Sequence, residues 1–196
     1  MGKSVAELCE EHRRALHEGP PPVPGAPVLV QAKGVDEVVL PRLQATPASA
    51  WLTRRFRRAD VDPAVHERER VERMLALQDL VDDGSVVLPL VKSTRNPSPH
   101  VLLGRGKRND VIIADTTVSS QHAELEIDGS TWLVRDQGSS NGTFLNRQPL
   151  GKGEGTVLTS GDCLRLGRQV FYFLSGERLL LFLELRIVRR GQVGAG

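Results

Sequence analysis

The chain is poor in cysteine, in net charge and in long apolar runs, and each shortage removes a class of explanation. Only Cys9 and Cys163 occur among 196 residues. Two distant thiols make neither a disulfide framework nor a metal spacing, which favours a reducing compartment. The formal charge of +2 is too small to argue for nucleic acid as a partner. The run Leu179-Leu180-Leu181-Phe182-Leu183 is broken by Glu184 and Arg186, far short of a bilayer span. The start has no apolar signal-peptide core, and Ala6 stands where a myristoylation signal wants Ser or Thr. The expectation is a cytoplasmic protein with no membrane and no nucleic-acid partner.

What the chain does contain is ordinary for a soluble fold, with 26% charged and 39% hydrophobic residues. Residues 1–90 carry 12 Lys/Arg and 14 Asp/Glu, a net of −2, whereas residues 91–196 carry 14 and 10, a net of +4. A modest cationic excess therefore lies in the second half. Ser4 and Glu7 have capping-box spacing and open a helix over 4–18. Gly19 ends it, and the proline-rich stretch near 19–27 reads as an extended linker. Residues 28–60 are hard to place. Val38-Val39-Leu40 could be a strand, and Ala50 to Arg58 a helical turn whose basic face is Arg54, Arg55, Arg57 and Arg58, read as a solvated face. A second helix follows Asp62 and Pro63, with Val71, Met74, Leu75, Leu77, Leu80 and Val81 as a core-packing stripe and Gly84 as its stop.

From Ser85 the period changes to two. Val86 to Val91 reads as an edge strand, since Pro89 cannot donate to a ladder. His100 to Leu103 and Val111 to Ile113 follow. Ala123, Leu125 and Ile127 alternate with acidic residues, and Asp128-Gly129 signals a hairpin into Trp132 and Val134. Further short strands are expected near 144–145, 155–158, 163–166 and 170–174, a density that argues for a β-sandwich. Leu179 to Val188 is an additional strand or helix, and the tail to Gly196 is loose. The division expected is a helical region over 1–84, a sandwich over 85–176 and an extension over 177–196. The fold class is α+β.

Between the strands lie Gly104-Arg105, then Ser119-Ser120-Gln121-His122, then Asp136-Gln137-Gly138-Ser139-Ser140-Asn141-Gly142-Thr143. These motifs, with Asn146 and Leu158-Thr159-Ser160-Gly161-Asp162-Cys163-Leu164-Arg165-Leu166-Gly167, resemble a forkhead-associated (FHA) domain over roughly residues 86–174. The resemblance implies a two-sheet sandwich whose loops at one end bind phosphothreonine in an extended peptide. By that resemblance Arg105 pairs with the phosphate, Ser119 donates to it, Ser140 shapes the threonine-methyl pocket, and Asn141 bonds the peptide backbone. Ser120 replaces a basic or amide side chain that often touches phosphate, and Arg147 replaces the glycine that usually follows the second asparagine. Gly104, His122 and Gly142 are loop supports, and Asp136 reads as a loop-bracing carboxylate.

The residue chemistry points the same way. A phosphate brings about −1.5 to −2 charges and three acceptor oxygens, which one guanidinium fork and a few hydroxyl or amide donors satisfy. None of the five contact positions is acidic. Catalysis finds little support. His122-Ala123-Glu124 lacks the cysteine partner of a zinc deaminase, Arg105-Gly106-Lys107 lacks P-loop spacing, and Ser119 with His122 has no orienting acid. The expectation is a non-enzymatic adaptor, without metal or cofactor, acting downstream of Ser/Thr kinases. Its partner would be a phosphothreonine-containing kinase or kinase substrate. The alternative is a scaffold of the same fold that binds protein regardless of phosphorylation. Phosphorylation of Thr46 or Thr94, folding the chain into its own site, is a further expectation.

Overall fold

In the computed structural model, residues 2–18, 26–34, 63–94, 96–128 and 131–193 are described. Twelve strands are found among them: β1 (Lys3–Ser4), β2 (Val28–Gln31), β3 (Val86–Pro89), β4 (Val101–Gly104), β5 (Val111–Ile112) and β6 (Ala123–Asp128), then β7 (Thr131–Asp136), β8 (Thr143–Leu145), β9 (Gln148–Pro149), β10 (Thr156–Leu158), β11 (Cys163–Leu166) and β12 (Gln169–Leu174). Three helices accompany them: α1 (Val5–Glu18), α2 (Pro63–Leu80) and α3 (Gly176–Val193). One sheet runs β1-β3-β2-β12-β11-β8-β9 and the other β10-β7-β6-β4-β5. The β4–β5 ladder is parallel and the other strand ladders are antiparallel.

Strand β12 shows why the molecule has three layers. Phe171 and Phe173 point into the space between the sheets, joining Leu103, Leu125, Val134, Leu164 and Leu166. Val170, Tyr172 and Leu174 point the other way, into a second core with Val5, Met74, Leu77 and Phe182 from the helices. A strand buried on both faces reads as a continuous apolar run, as Val170-Phe171-Tyr172-Phe173-Leu174 does. Strand β2 repeats the arrangement, with Leu29 between the sheets and Val28 and Val30 against the helices.

Each helix contributes one stripe. In α1 it is Val5, Cys9 and His12, and the Ser4–Glu7 box opens the helix reciprocally: Glu7 N–H donates to Ser4 Oγ at 3.2 Å and Ser4 N–H to Glu7 Oε2 at 2.7 Å. In α2 the stripe narrows to Met74, Leu77 and Gln78, followed by Val81, while Leu75 is exposed. The C-terminal carbonyls of α2 are capped from outside: Lys33 N–H donates to Leu80 O at 2.8 Å, and Arg186 Nη2 donates to Val81 O at 3.0 Å. The segment Leu179–Val188 is helical within α3, and Arg186, which interrupts its apolar run, does this capping.

The strand Val28–Gln31 is the main departure from the sequence reading. It comes from the N-terminal part of the chain yet pairs with both β3 and β12, so residues 85–176 alone do not supply the whole sandwich. Strand β1 covers only Val86 and Val87, which leaves Pro89 beyond it. Most of the proline-rich linker, Val38 to Leu40, Thr46, the Arg54–Arg58 cluster, Asp62, Gly129 and residues 194–196 lie outside the described residues. Among the described residues no helix is long and apolar enough to cross a membrane.

Removing residues 1–84 strips β12 of its β2 partner and uncovers Val170, Tyr172 and Leu174. At about 1.5–3 kcal/mol per buried side chain, this loss rivals the roughly 5–15 kcal/mol that holds a domain folded. A fragment of residues 85–176 is therefore expected to lack a cooperative thermal transition under conditions where the full chain shows one. Circular dichroism melting of both is the check.

Candidate functional site

Four loops meet at one end of the sandwich: 105–110 between β4 and β5, 113–122 between β5 and β6, 137–142 between β7 and β8, and the turn 167–168. Arg105 N–H donates to Ser119 O at 2.9 Å and Gly106 N–H to Ser120 O at 3.0 Å, tying the first loop to the second. A Cβ on Gly104 would come within 2.6 Å of Ser120 O, and one on Gly106 within 2.8 Å. Glycine on both sides of Arg105 is thus required by close approach of the neighbouring backbone. Asn109, 1% exposed, fastens the same joint: its Nδ2 donates to Gly106 O at 2.7 Å and to Ser120 O at 2.6 Å.

His122 joins the second loop to the third. It is fully buried; its Nδ1 accepts from the Ser119 N–H at 3.0 Å and its Nε2 lies 3.2 Å from Gly142 O. An acceptor at Nδ1 and a carbonyl opposite Nε2 fix one neutral tautomer. Burial pushes the imidazole pKa below its ordinary value, outweighing the opposing pull of the Gly142 carbonyl and the Asp136 carboxylate. Because Nδ1 takes the Ser119 backbone N–H and not its hydroxyl, this pair is not arranged as nucleophile and base. Gly142 sits at φ +76°, and its N-terminal neighbours are held by Asp136. That buried carboxylate accepts from Gly138 N–H at 2.8 Å, Ser139 N–H at 3.1 Å, Ser139 Oγ at 2.6 Å and Thr143 Oγ1 at 2.6 Å.

On this frame the five contact candidates are disposed as follows. Ser119 Oγ accepts from Ser140 N–H at 2.9 Å and lies 3.4 Å from Ser140 Oγ, so two hydroxyls from different loops stand together. Arg105 is exposed, and its Nε donates to Val118 O at 3.3 Å. Among the described residues no carboxylate pairs with it. Asn141 is exposed too, its Nδ2 donating to Thr117 O at 2.8 Å. Ser120 contributes its carbonyl to the first joint, and its exposed side chain is not drawn into the Ser119–Ser140 contact. The sequence reading missed Asn109, Asp115 and the role of Thr117. Only the paired glycines 104 and 106 hinted that a buried side chain closes in behind Arg105.

The sequence model of the FHA domain matches residues 101–167. The chain contains an FHA domain. Among characterised relatives, the glycogen accumulation regulator GarA of Mycolicibacterium smegmatis is 38% identical over 80 residues, covering 41% of this chain and 49% of that protein. The oxoglutarate dehydrogenase inhibitor of Corynebacterium jeikeium is 36% identical over 103 residues, 49% of this chain and 69% of that one. This chain thus spans about half of the first relative's length. The FHA domain of an Arabidopsis thaliana hypothetical protein superposes with a TM-score of 0.38 at 33% identity, over 41% of this chain and 70% of that one.

Behind the FHA loops, Asp110 secures the start of β5. It accepts from Ser93 N–H at 2.7 Å, Asn96 Nδ2 at 2.7 Å, Leu102 N–H at 2.8 Å and Lys92 Nζ at 3.1 Å. Burial alone would raise its pKa, but these donors outweigh it and hold the carboxyl far below the carboxylate range. The folded value lies below the unfolded one, so the contribution is complete above about pH 4 to 5 and is lost as pH falls through the folded value. Replacing Asp110 by Asn is expected to cost about 1–3 kcal/mol at pH 7 and to flatten the fall in stability between pH 5 and 2. Urea denaturation across that range tests both.

Proposed function

We propose that this chain is a non-catalytic adaptor that recognises phosphothreonine in a partner protein and acts downstream of Ser/Thr kinases. The observation that carries the reading is Arg105: an exposed guanidinium, among the described residues unpaired with any acid, on a loop bonded through its backbone to Ser119, whose hydroxyl stands with that of Ser140. A dianionic ester placed there meets one charge-assisted fork and two short donors, which suits three oxygens. Asn141, one loop away, would bond the peptide backbone, and Ser120 would reach the phosphate from the loop edge.

The family match supports this, since it spans Arg105, Ser119, Ser140 and Asn141. Relatives named as a regulator and as an inhibitor fit a protein that acts by binding. The expected partner is a phosphothreonine-containing kinase or kinase substrate, with no cofactor, nucleic acid or membrane involved. Cys9 and Cys163 are both buried and neither is in a disulfide, which accords with the cytoplasm. We assign recognition to the sandwich of 85–176 completed by β2, with the helices from 1–84 and 177–196 as its support.

Changing Arg105 to Ala is expected to lower affinity for a phosphothreonine peptide at least about 100-fold, the cost of losing a charged partner of a phosphate. The melting point should move little, because an exposed loop arginine adds little to folding. Titration calorimetry with phosphorylated and unphosphorylated peptides, alongside thermal melts, decides it. Equal binding of both peptides would favour the phosphorylation-independent scaffold.

A further inference from the structure

A line of hydrogen bonds leads from the helix-backed sheet to the peptide-clamp candidate. Gln31, the last residue of β2, donates from Nε2 to Gln169 Oε1 at 2.9 Å. Gln169, the first residue of β12, donates from its own Nε2 to Asp115 Oδ2 at 2.8 Å. The other oxygen of Asp115 takes the Thr117 N–H at 2.8 Å and the Thr117 hydroxyl. Thr117 then presents its carbonyl to Asn141 Nδ2 at 2.8 Å. Its hydroxyl also accepts the Arg168 N–H at 3.0 Å, and a Cβ on Gly167 would collide with the Thr117 carbonyl. Thr117 is therefore held from three sides, and the Gln169 amide has one orientation that satisfies both Gln31 and Asp115.

We propose that Asp115 is a positioning residue for the peptide site, acting through Thr117 to orient the Asn141 amide and linking that amide through Gln169 and Gln31 to the strand β2. The proposal rests on the phosphopeptide reading given above. An amide whose nitrogen is committed to Thr117 O turns its oxygen away, free to accept an N–H from an extended peptide. Asp115 is an all-acceptor group facing three donors, so it sets the polarity of the line: Gln169 must offer its nitrogen to Asp115, and Gln31 must offer its nitrogen to Gln169. An alanine at 115 removes the acceptor shared by the Thr117 N–H, the Thr117 hydroxyl and the Gln169 nitrogen, whereas an asparagine restores all three bonds once Gln169 and Gln31 turn over. Preorganising a binding group in this way removes part of the ordering cost of association.

The carboxylate could act in a second way, as a negative charge near a phosphate, and the two roles have opposite signs. Asp115→Ala removes the charge in both cases. Loss of positioning weakens phosphopeptide binding; relief of repulsion strengthens it.

The test is a double-mutant cycle on the full chain, with calorimetry against one phosphothreonine peptide. Asp115→Ala is expected to weaken binding about tenfold in the otherwise native protein and less than about twofold in an Asn141→Ala background. Gln169→Met, which keeps size but deletes both bonds, serves if Asp115→Ala does not fold, with an expected loss of about threefold that also vanishes without Asn141. In the free protein, Asp115→Ala or Gln169→Met should shift the Asn141 side-chain amide resonances, a readout independent of any ligand. Equal losses in both backgrounds, tighter binding on removing the charge, or unmoved Asn141 resonances would overturn the proposal. Absence of peptide binding in the native protein would overturn the phosphopeptide reading instead, leaving the resonance measurement to decide the positioning role.

Discussion

Burial of the larger sheet on both faces is the constraint from which the rest of the architecture follows. Its central strands, β2 and β12, alternate between two cores, so each needs an apolar side chain at nearly every position. The sandwich supplies one cover and the three helices the other. Helix α1, helix α2 and strand β2 come from residues before 85, so the N-terminal part of the chain is built into the fold both as a strand of the sheet and as cover for one of its faces. The capping of α2 by Lys33 and Arg186 follows from the same packing, because the end of β2 and the flank of α3 arrive where the last helical carbonyls need donors.

Around Arg105 the FHA loops are joined through backbone carbonyls and the neutral side chains of Asn109 and His122. His122, Asn109 and the glycines at 104 and 106 consume backbone groups and leave the guanidinium of Arg105 free of acids among the described residues. The carboxylates in the neighbourhood are occupied elsewhere: Asp136 by Ser139, Thr143 and two backbone amides, Asp115 by Thr117 and Gln169, Asp110 by five donor groups. Each stays ionised, yet each is turned toward donors of its own. A positive rim is therefore kept in a region that also contains several aspartates, with no ion pair to Arg105 among the described residues.

What could be read from the sequence follows the same physics. The alternation of Ala123, Leu125 and Ile127 with acidic residues identified β6 because one of its faces meets solvent, and the Ser4–Glu7 spacing identified the start of α1 because capping is local. Strand β2 escaped notice because Val28-Leu29-Val30 is short and buried on both faces, so it carries no period. Leu179 to Val188 resisted assignment for a related reason: apolar residues ring most of α3, and neither a helical nor a strand period stands out. At the site, Arg105, Ser119, Ser140 and Asn141 were legible as polar residues on turns in the order of the FHA motifs. Asn109 and Asp115 were not, since each also bonds far along the chain, Asn109 to Ser120 and Asp115 to Gln169, at separations that no local pattern records.

The arrangement also leaves the serines, the histidine and the arginine without the geometry of a nucleophile and its base. Nucleophilic chemistry needs a base whose lone pair faces the hydroxyl. Here the lone pair of His122 Nδ1 faces the Ser119 N–H, and its other nitrogen faces Gly142 O, so both are spent on joining two loops. Burial lowers the tendency of that ring to take a proton, which keeps both bonds intact across the neutral range. The Ser119 hydroxyl in turn accepts from the Ser140 backbone, which places its oxygen in the loop contact and leaves its proton as a donor. Hydroxyls held as donors, beside a cation that carries no proton-transfer role at neutral pH, form a surface suited to recognition and release.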